Sequence, residues 1–102
     1  MTAPMDPDTF GARLAAARVA RQITQAELAE LLTPALVEAG VRSSSDVPLA
    51  AWTIGTWERD RHRPPVDVLR VLCELLQVSA DGLLGLAPFS IPSLSPTRRR
   101  RR

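Results

Sequence analysis

The chain predicts an all-α fold of five helices, with room for a sixth, ending in a disordered basic tail. Three observations carry this. The 102 residues are rich in Ala, Leu and Arg and contain no tyrosine, a composition that favours helix over strand. Apolar residues recur at helical spacing, most clearly Leu69, Leu72, Cys73 and Leu76 at i, i+3, i+4 and i+7. Between the stripes stand start and stop signals, of which Thr24 followed three residues later by Glu27 is the sharpest, a pattern that satisfies two free backbone N–H groups reciprocally.

Taken in order, Asp8 is expected to cap a first helix running to about Gln22, with Phe10, Leu14, Ala17 and Arg21 at helical spacing. Thr24 caps a second helix, striped by Leu28, Leu31 and Leu32. Its end is open. Thr33-Pro34 reads as a fresh cap with proline in the first turn, so Pro34 to Ala39 forms either a separate short helix or an extension of the second, stopped by Gly40. Arg42-Ser43-Ser44-Ser45-Asp46-Val47-Pro48 is a loop by composition. A third helix occupies about Ala50 to Arg59, although Gly55 inside it costs about 1 kcal/mol relative to alanine. Arg61-His62-Arg63-Pro64-Pro65 breaks it, and a fourth runs from Pro65 or Val66 to Leu76. Ser79 caps a short fifth helix containing Leu83 and Leu84. Beyond Leu86, three prolines among serines and then five arginines mark a tail, giving a domain over 8–86 and a disordered segment over 87–102.

With 45% hydrophobic residues, the chain can bury one modest core and no second domain is expected. Cys73 is the only cysteine, which excludes an intramolecular disulfide and a cysteine-based metal cluster and fits a reducing cytoplasm. No apolar stretch nears the roughly 20 residues that span a bilayer. Met1-Thr2-Ala3-Pro4-Met5-Asp6 lacks the basic flank and apolar run of a signal peptide. The expectation is a cytoplasmic protein without a membrane partner.

Charge is unevenly placed. All 13 basic residues are arginine and five form the run Arg98 to Arg102, so residues 1–97 hold eight arginines against eleven carboxylates, a formal −3. The basic isoelectric point belongs to the tail, and a nucleic-acid reading must rest on where the other arginines lie. Catalysis finds no support: His62 is the only histidine and Cys73 falls on an apolar helix face. There is no glycine-rich phosphate loop and no carboxylate pair in an identifiable pocket, so no enzyme, cofactor or metal site is expected.

Two separated pieces carry the functional signal: Ile23-Thr24-Gln25-Ala26-Glu27-Leu28-Ala29, and Thr53-Ile54-Gly55-Thr56-Trp57-Glu58-Arg59. Around them stand Arg13-Leu14 and Arg18 before, and Arg63-Pro64-Pro65, Leu69, Leu72, Leu76-Gln77-Val78-Ser79 and Leu83-Leu84 after. In this order the pieces resemble the Cro and phage-repressor (Xre) helix-turn-helix family over about Phe10 to Leu86.

The resemblance implies roles residue by residue. Gln25, at the amino end of the second helix where free N–H groups favour an anion, would contact a DNA phosphate; taken alone it is an exposed first-turn residue. Arg18 and Glu58 would form a partly buried structural ion pair that orients the first helix against the third. Ala29 would sit where the two motif helices cross closely, and Ile54 on the buried face of the third. That third helix would enter the major groove with Ala51, Trp52, Thr53 and Thr56 facing bases, and Gly55 at the edge of that set. The set lacks the Gln, Asn and Arg side chains that make bidentate base contacts. Trp52 would pack either on a base or sugar or against the inserted segment. Arg59, Arg61 and Arg63, with His62, form a basic loop suited to phosphates, and Asp60 replaces the family's usual glycine at the helix end.

One departure stands out. Ala29 to Ile54 is 25 residues, about 15 more than the family pattern, which places an insertion at about 33–48 where a tight turn belongs. It would touch the DNA backbone through Arg42 and Ser43 to Ser45, or a protein through Leu36, Val37 and Val41. The expected function is a sequence-specific double-stranded DNA-binding transcriptional regulator, a nucleoid-associated repressor acting as a homodimer. Two alternatives stay open. One is an adaptor or antitoxin-like partner using the insertion or the stretch Leu83 to Ile91; the other is an RNA-binding protein acting through its arginine tail.

Overall fold

The computed structural model describes residues 8–44 and 46–89, and among these the chain is all-α. Five helices follow in order: α1 Phe10–Ala20, α2 Gln25–Glu38, α3 Ala51–Glu58, α4 Val66–Leu76 and α5 Ala80–Leu84. The arginine run 98–102, most of the tail expected over 87–102, the first residues and Ser45 lie outside the described residues.

Local signals set most boundaries. Thr24 is the N-cap of α2, its hydroxyl accepting from the Glu27 amide while the Glu27 carboxylate accepts from the Thr24 amide. Ser79 caps α5 by accepting from the Gly82 amide. The start of α1 corrects an expectation. Thr9, not Asp8, is the cap: Thr9 is extended and its hydroxyl accepts from the Ala12 amide, whereas Asp8 lies one residue too early to reach that donor.

At Pro34 the structure takes the second of the two expected arrangements, the extension. Pro34 starts no separate helix: α2 continues through the proline to Glu38, and Gly40, with φ of +80°, lets Val41 N–H return to the Leu36 carbonyl. Proline inside a helix costs about 3 kcal/mol. Here it stands on the exposed face, while Leu28, Leu32 and Leu36 lie buried along the opposite one. Burying Leu36 contributes about 2 kcal/mol, and the propagated helix saves a second nucleation, so continuity wins.

One core joins the helices. Phe10 and Leu14 from α1, Leu28, Leu32 and Leu36 from α2, Ile54 from α3, Leu72 and Leu76 from α4 and Leu83 from α5 are its fully or nearly fully buried members. Helix α2 packs on α3 and α4, α1 packs on α3 and α5, and α5 also meets α4. Arginines from α1 tie down two helix ends: Arg21 Nε donates to the Leu76 carbonyl at 2.9 Å, and Arg13 Nη1 to the Leu83 carbonyl at 3.1 Å. Among the described residues no helix is long and apolar enough to cross a membrane.

The inserted segment folds back onto this core. Val41 and Leu49 pack against it, and Leu36, expected to be free for a partner, is one of its buried members. Arg42 is likewise turned inward: its Nη2 donates to the Val47 carbonyl at 2.6 Å across the loop.

Candidate nucleic-acid interface

Glu58 is the hub of the α1, α2 and α3 junction. Arg18 from α1 meets it with two bonds, Nε to Oε2 at 2.6 Å and Nη2 to Oε1 at 3.1 Å, a fork geometry that fixes direction as well as distance. The third nitrogen of Arg18 donates to the Ile23 carbonyl at 2.9 Å, so the same side chain also holds the turn before α2. Its hydrogen bond to Glu58 raises the Arg18 guanidinium above its ordinary value, against the effect of partial burial. Gln25, at the start of α2, donates from Nε2 to Glu58 Oε1 at 2.9 Å. The expected pairing of Arg18 with Glu58 is therefore present, and Gln25 joins it, which sequence reasoning did not anticipate.

Close backbone approach makes that junction work. A Cβ added at Gly11 would lie 2.3 Å from the Glu58 carbonyl oxygen, so only glycine lets α1 cross the end of α3 at this distance. Gly55 plays a different part. A Cβ there would meet Arg59 Nη1 at 3.0 Å and the Gln25 amide at 3.3 Å, which shows that these two side chains converge over the glycine. An amide nitrogen carries two hydrogens, and Gln25 spends one on Glu58. The other, with the Arg59 guanidinium alongside, leaves a donor-rich patch at the amino end of α2.

The end of α3 closes by an αL turn. Asp60 has φ of +60°, Asp60 N–H returns to the Trp57 carbonyl and Arg61 N–H to the Thr56 carbonyl. Asp60 occupies the place of glycine and repays its strain through its side chain: Oδ1 accepts from the Gly11 amide at 2.8 Å, in the first turn of α1. Hydrogen bonds from Thr9 and then Gly11 hold its carboxyl below the usual aspartate range, with Arg63 and Arg13 adding to the effect. The carboxylate thus spends its hydrogen bonds on the fold, on Thr9 and Gly11, and not on an arginine of the loop.

Around this turn Arg59, Arg61, His62 and Arg63 are all exposed, and none of the arginines pairs with a described carboxylate. Arg63 stands over the Phe10 ring, 5.1 Å from its centroid. On α3, Ala51, Thr53 and Thr56 are half-buried and Trp52 is 70% exposed. Trp52 is therefore mostly open to solvent rather than enclosed by the inserted segment. Thr56 turns its hydroxyl back to the Trp52 carbonyl at 2.8 Å. Ile54 and Ala29 are buried, as the resemblance implies.

Elsewhere the chemistry is quiet. Burial, then the nearby Glu74 charge, pushes the Cys73 thiol up, away from the reactive thiolate. Among the described residues no group of His, Cys, Asp and Glu is placed to hold a metal ion. Compared with models of protein families, with curated proteins and with solved structures, the chain matches none.

Proposed function

We propose that this chain is a sequence-specific double-stranded DNA-binding regulator similar to the Cro and phage-repressor proteins, acting as a repressor and a homodimer at the nucleoid. One observation carries the reading: Gln25, at the start of α2, and Arg59, at the end of α3, converge over Gly55, beside an exposed arginine loop that forms no ion pair among the described residues. Such an arrangement suits two or more DNA phosphates, with α3 presented to the groove between them. Residues Ala51, Thr53 and Thr56 then offer methyl groups to thymine, and Trp52 a ring to a base or sugar. A single module of this size makes few base contacts, which is why a two-fold site and a dimer belong to the proposal. Catalysis, a cofactor and a metal have no part in it.

The deciding experiment selects bound duplexes from a random library and reads them for a palindromic preference. A salt series with the full chain and with a chain ending at Thr97 accompanies it. A shared half-site motif retained by the shorter chain supports the proposal, whereas loss of all DNA binding on truncation, with no preference in the full chain, defeats it.

Trp52 favours a second reading. A tryptophan 70% exposed on a helix that lacks bidentate base readers also suits the centre of a protein interface, where tryptophan and arginine concentrate. An adaptor or antitoxin-like protein would then use the same face. Absence of any duplex preference, with a partner whose binding is lost in Trp52→Ala, would select that reading.

A further inference from the structure

Among the described residues Thr33 is the one buried polar residue, 2% exposed, on the part of α2 that otherwise carries Leu28, Leu32 and Leu36. A hydroxyl in that position needs partners. It has two: Oγ1 donates to the Ala29 carbonyl at 2.9 Å, one turn back, and accepts from the Leu49 amide at 2.9 Å, 16 residues ahead. Leu49 directly precedes Ala50, the N-cap of α3, which has no side-chain oxygen and makes no capping bond of its own. A second bond holds the same stretch from the other side, where Arg42 Nη2 donates to the Val47 carbonyl at 2.6 Å.

From this we infer that Thr33 is a positioning residue for the recognition face: through Leu49 it sets where α3 begins, and hence where Ala51, Trp52 and Thr53 stand relative to the Gln25 and Arg59 phosphate patch. The inference rests on the DNA reading above. Its physical basis is that α3 is anchored at its far end by Glu58 and the Asp60 turn, while its uncapped near end hangs from a long inserted loop. Without a fixed point, a loop of that length leaves the first turn of α3 free to fray, and three of the base-facing residues, Ala51, Trp52 and Thr53, lie in that turn. The insertion and the buried hydroxyl therefore belong together: a tight turn would hold α3 by its shortness, and here a hydrogen bond does so.

The test compares Thr33→Val, Thr33→Ser and Arg42→Gln with the full-length parent. Valine keeps the volume and removes the acceptor, serine restores it, and Arg42→Gln loosens the same stretch without entering the core. Two readouts are taken. In amide hydrogen exchange without DNA, Thr33→Val should speed exchange at Leu49 and Thr53, whose amides are bonded at the start of α3, while residues 66–76 keep their protection. In duplex binding, it should lower the ratio of selected-site to random-site affinity about tenfold, with an unchanged salt slope because no phosphate contact is lost. Thr33→Ser should recover both, and Arg42→Gln should shift both in the same direction by less.

A specificity ratio within twofold of the parent in Thr33→Val, or exchange that rises uniformly over α4 as well, overturns the inference. So does a serine variant as impaired as the valine one. A parent chain with no duplex preference defeats the DNA reading and with it the specificity role, and the exchange pattern then still decides whether Thr33 anchors α3.

Discussion

Arg18 and Glu58 lie 40 residues apart in the chain and meet through two bonds in the α1 and α3 junction, with 15% and 7% of their side chains exposed. Glu58 also accepts from Gln25, so a single carboxylate gathers three helices. Removing its cationic partner leaves a charge that is almost fully enclosed. Arg18→Ala should therefore cost about 3 kcal/mol, whereas Gln25→Ala gives up one neutral donor and should cost about 1 kcal/mol. Melting curves give the first comparison and duplex titration the second, in which Gln25→Ala loses affinity beyond its loss of stability. Equal melting losses would contradict this division.

Two glycines should behave oppositely. At Gly11 an added methyl faces backbone, the Glu58 carbonyl at 2.3 Å, and backbone cannot swing aside. Gly11→Ala should destabilise by about 2 kcal/mol or more. At Gly55 the neighbours are the far ends of Arg59 and Gln25, which can move, and alanine is the better helix former by about 1 kcal/mol. Gly55→Ala should melt at or above the parent temperature yet bind duplex DNA less well, because it pushes apart the two donors.

Acid should act through Asp60. Its folded carboxyl is held below the usual aspartate range by hydrogen bonds from Thr9 and Gly11, so its contribution is complete above the unfolded value. That contribution is lost as pH falls through the lower folded value, in the region below about pH 4. Asp60→Asn keeps an acceptor and tolerates the left-handed backbone, and it should flatten this part of the stability profile. Thermal melts of both proteins between neutral pH and pH 3 make the comparison.

Trp52 and Trp57 separate binding from folding. Trp57 is buried in the core and Trp52 is exposed. Trp52→Ala should leave the melting temperature nearly unchanged, within about 0.5 kcal/mol, while Trp57→Ala should cost about 3 kcal/mol. Fluorescence quenching by iodide should fall on Trp52 alone, and protection from it on adding duplex would locate the contact.

Much of the fold was legible in the residues. Thr24 and Glu27 announce the start of α2, the stripe Leu69, Leu72, Cys73 and Leu76 announces α4, and Ser79 announces α5. In each case the partners lie within one or two helical turns, so the interaction that makes the element is written in a short stretch of chain. The pairing of Arg18 with Glu58 was visible only as part of an ordered pattern over most of the chain.

Pro34, Thr33 and Asp60 show where such reading stops. Locally Thr33-Pro34 allows either a new helix or a continued one, and the burial of Leu36 decides for continuation. Thr33 read only as a cap before the proline, and the partner that explains its burial, Leu49, is 16 residues away across a loop. Asp60 looked like a substitute for glycine, and its reason for being aspartate is an amide 49 residues earlier. Local pattern was enough for which segments are helical, because capping and periodic burial act over a few residues. Which donors the chain leaves free for a partner was settled by folding, because a side chain's hydrogen bonds are claimed by whatever the packed chain brings within about 3 Å.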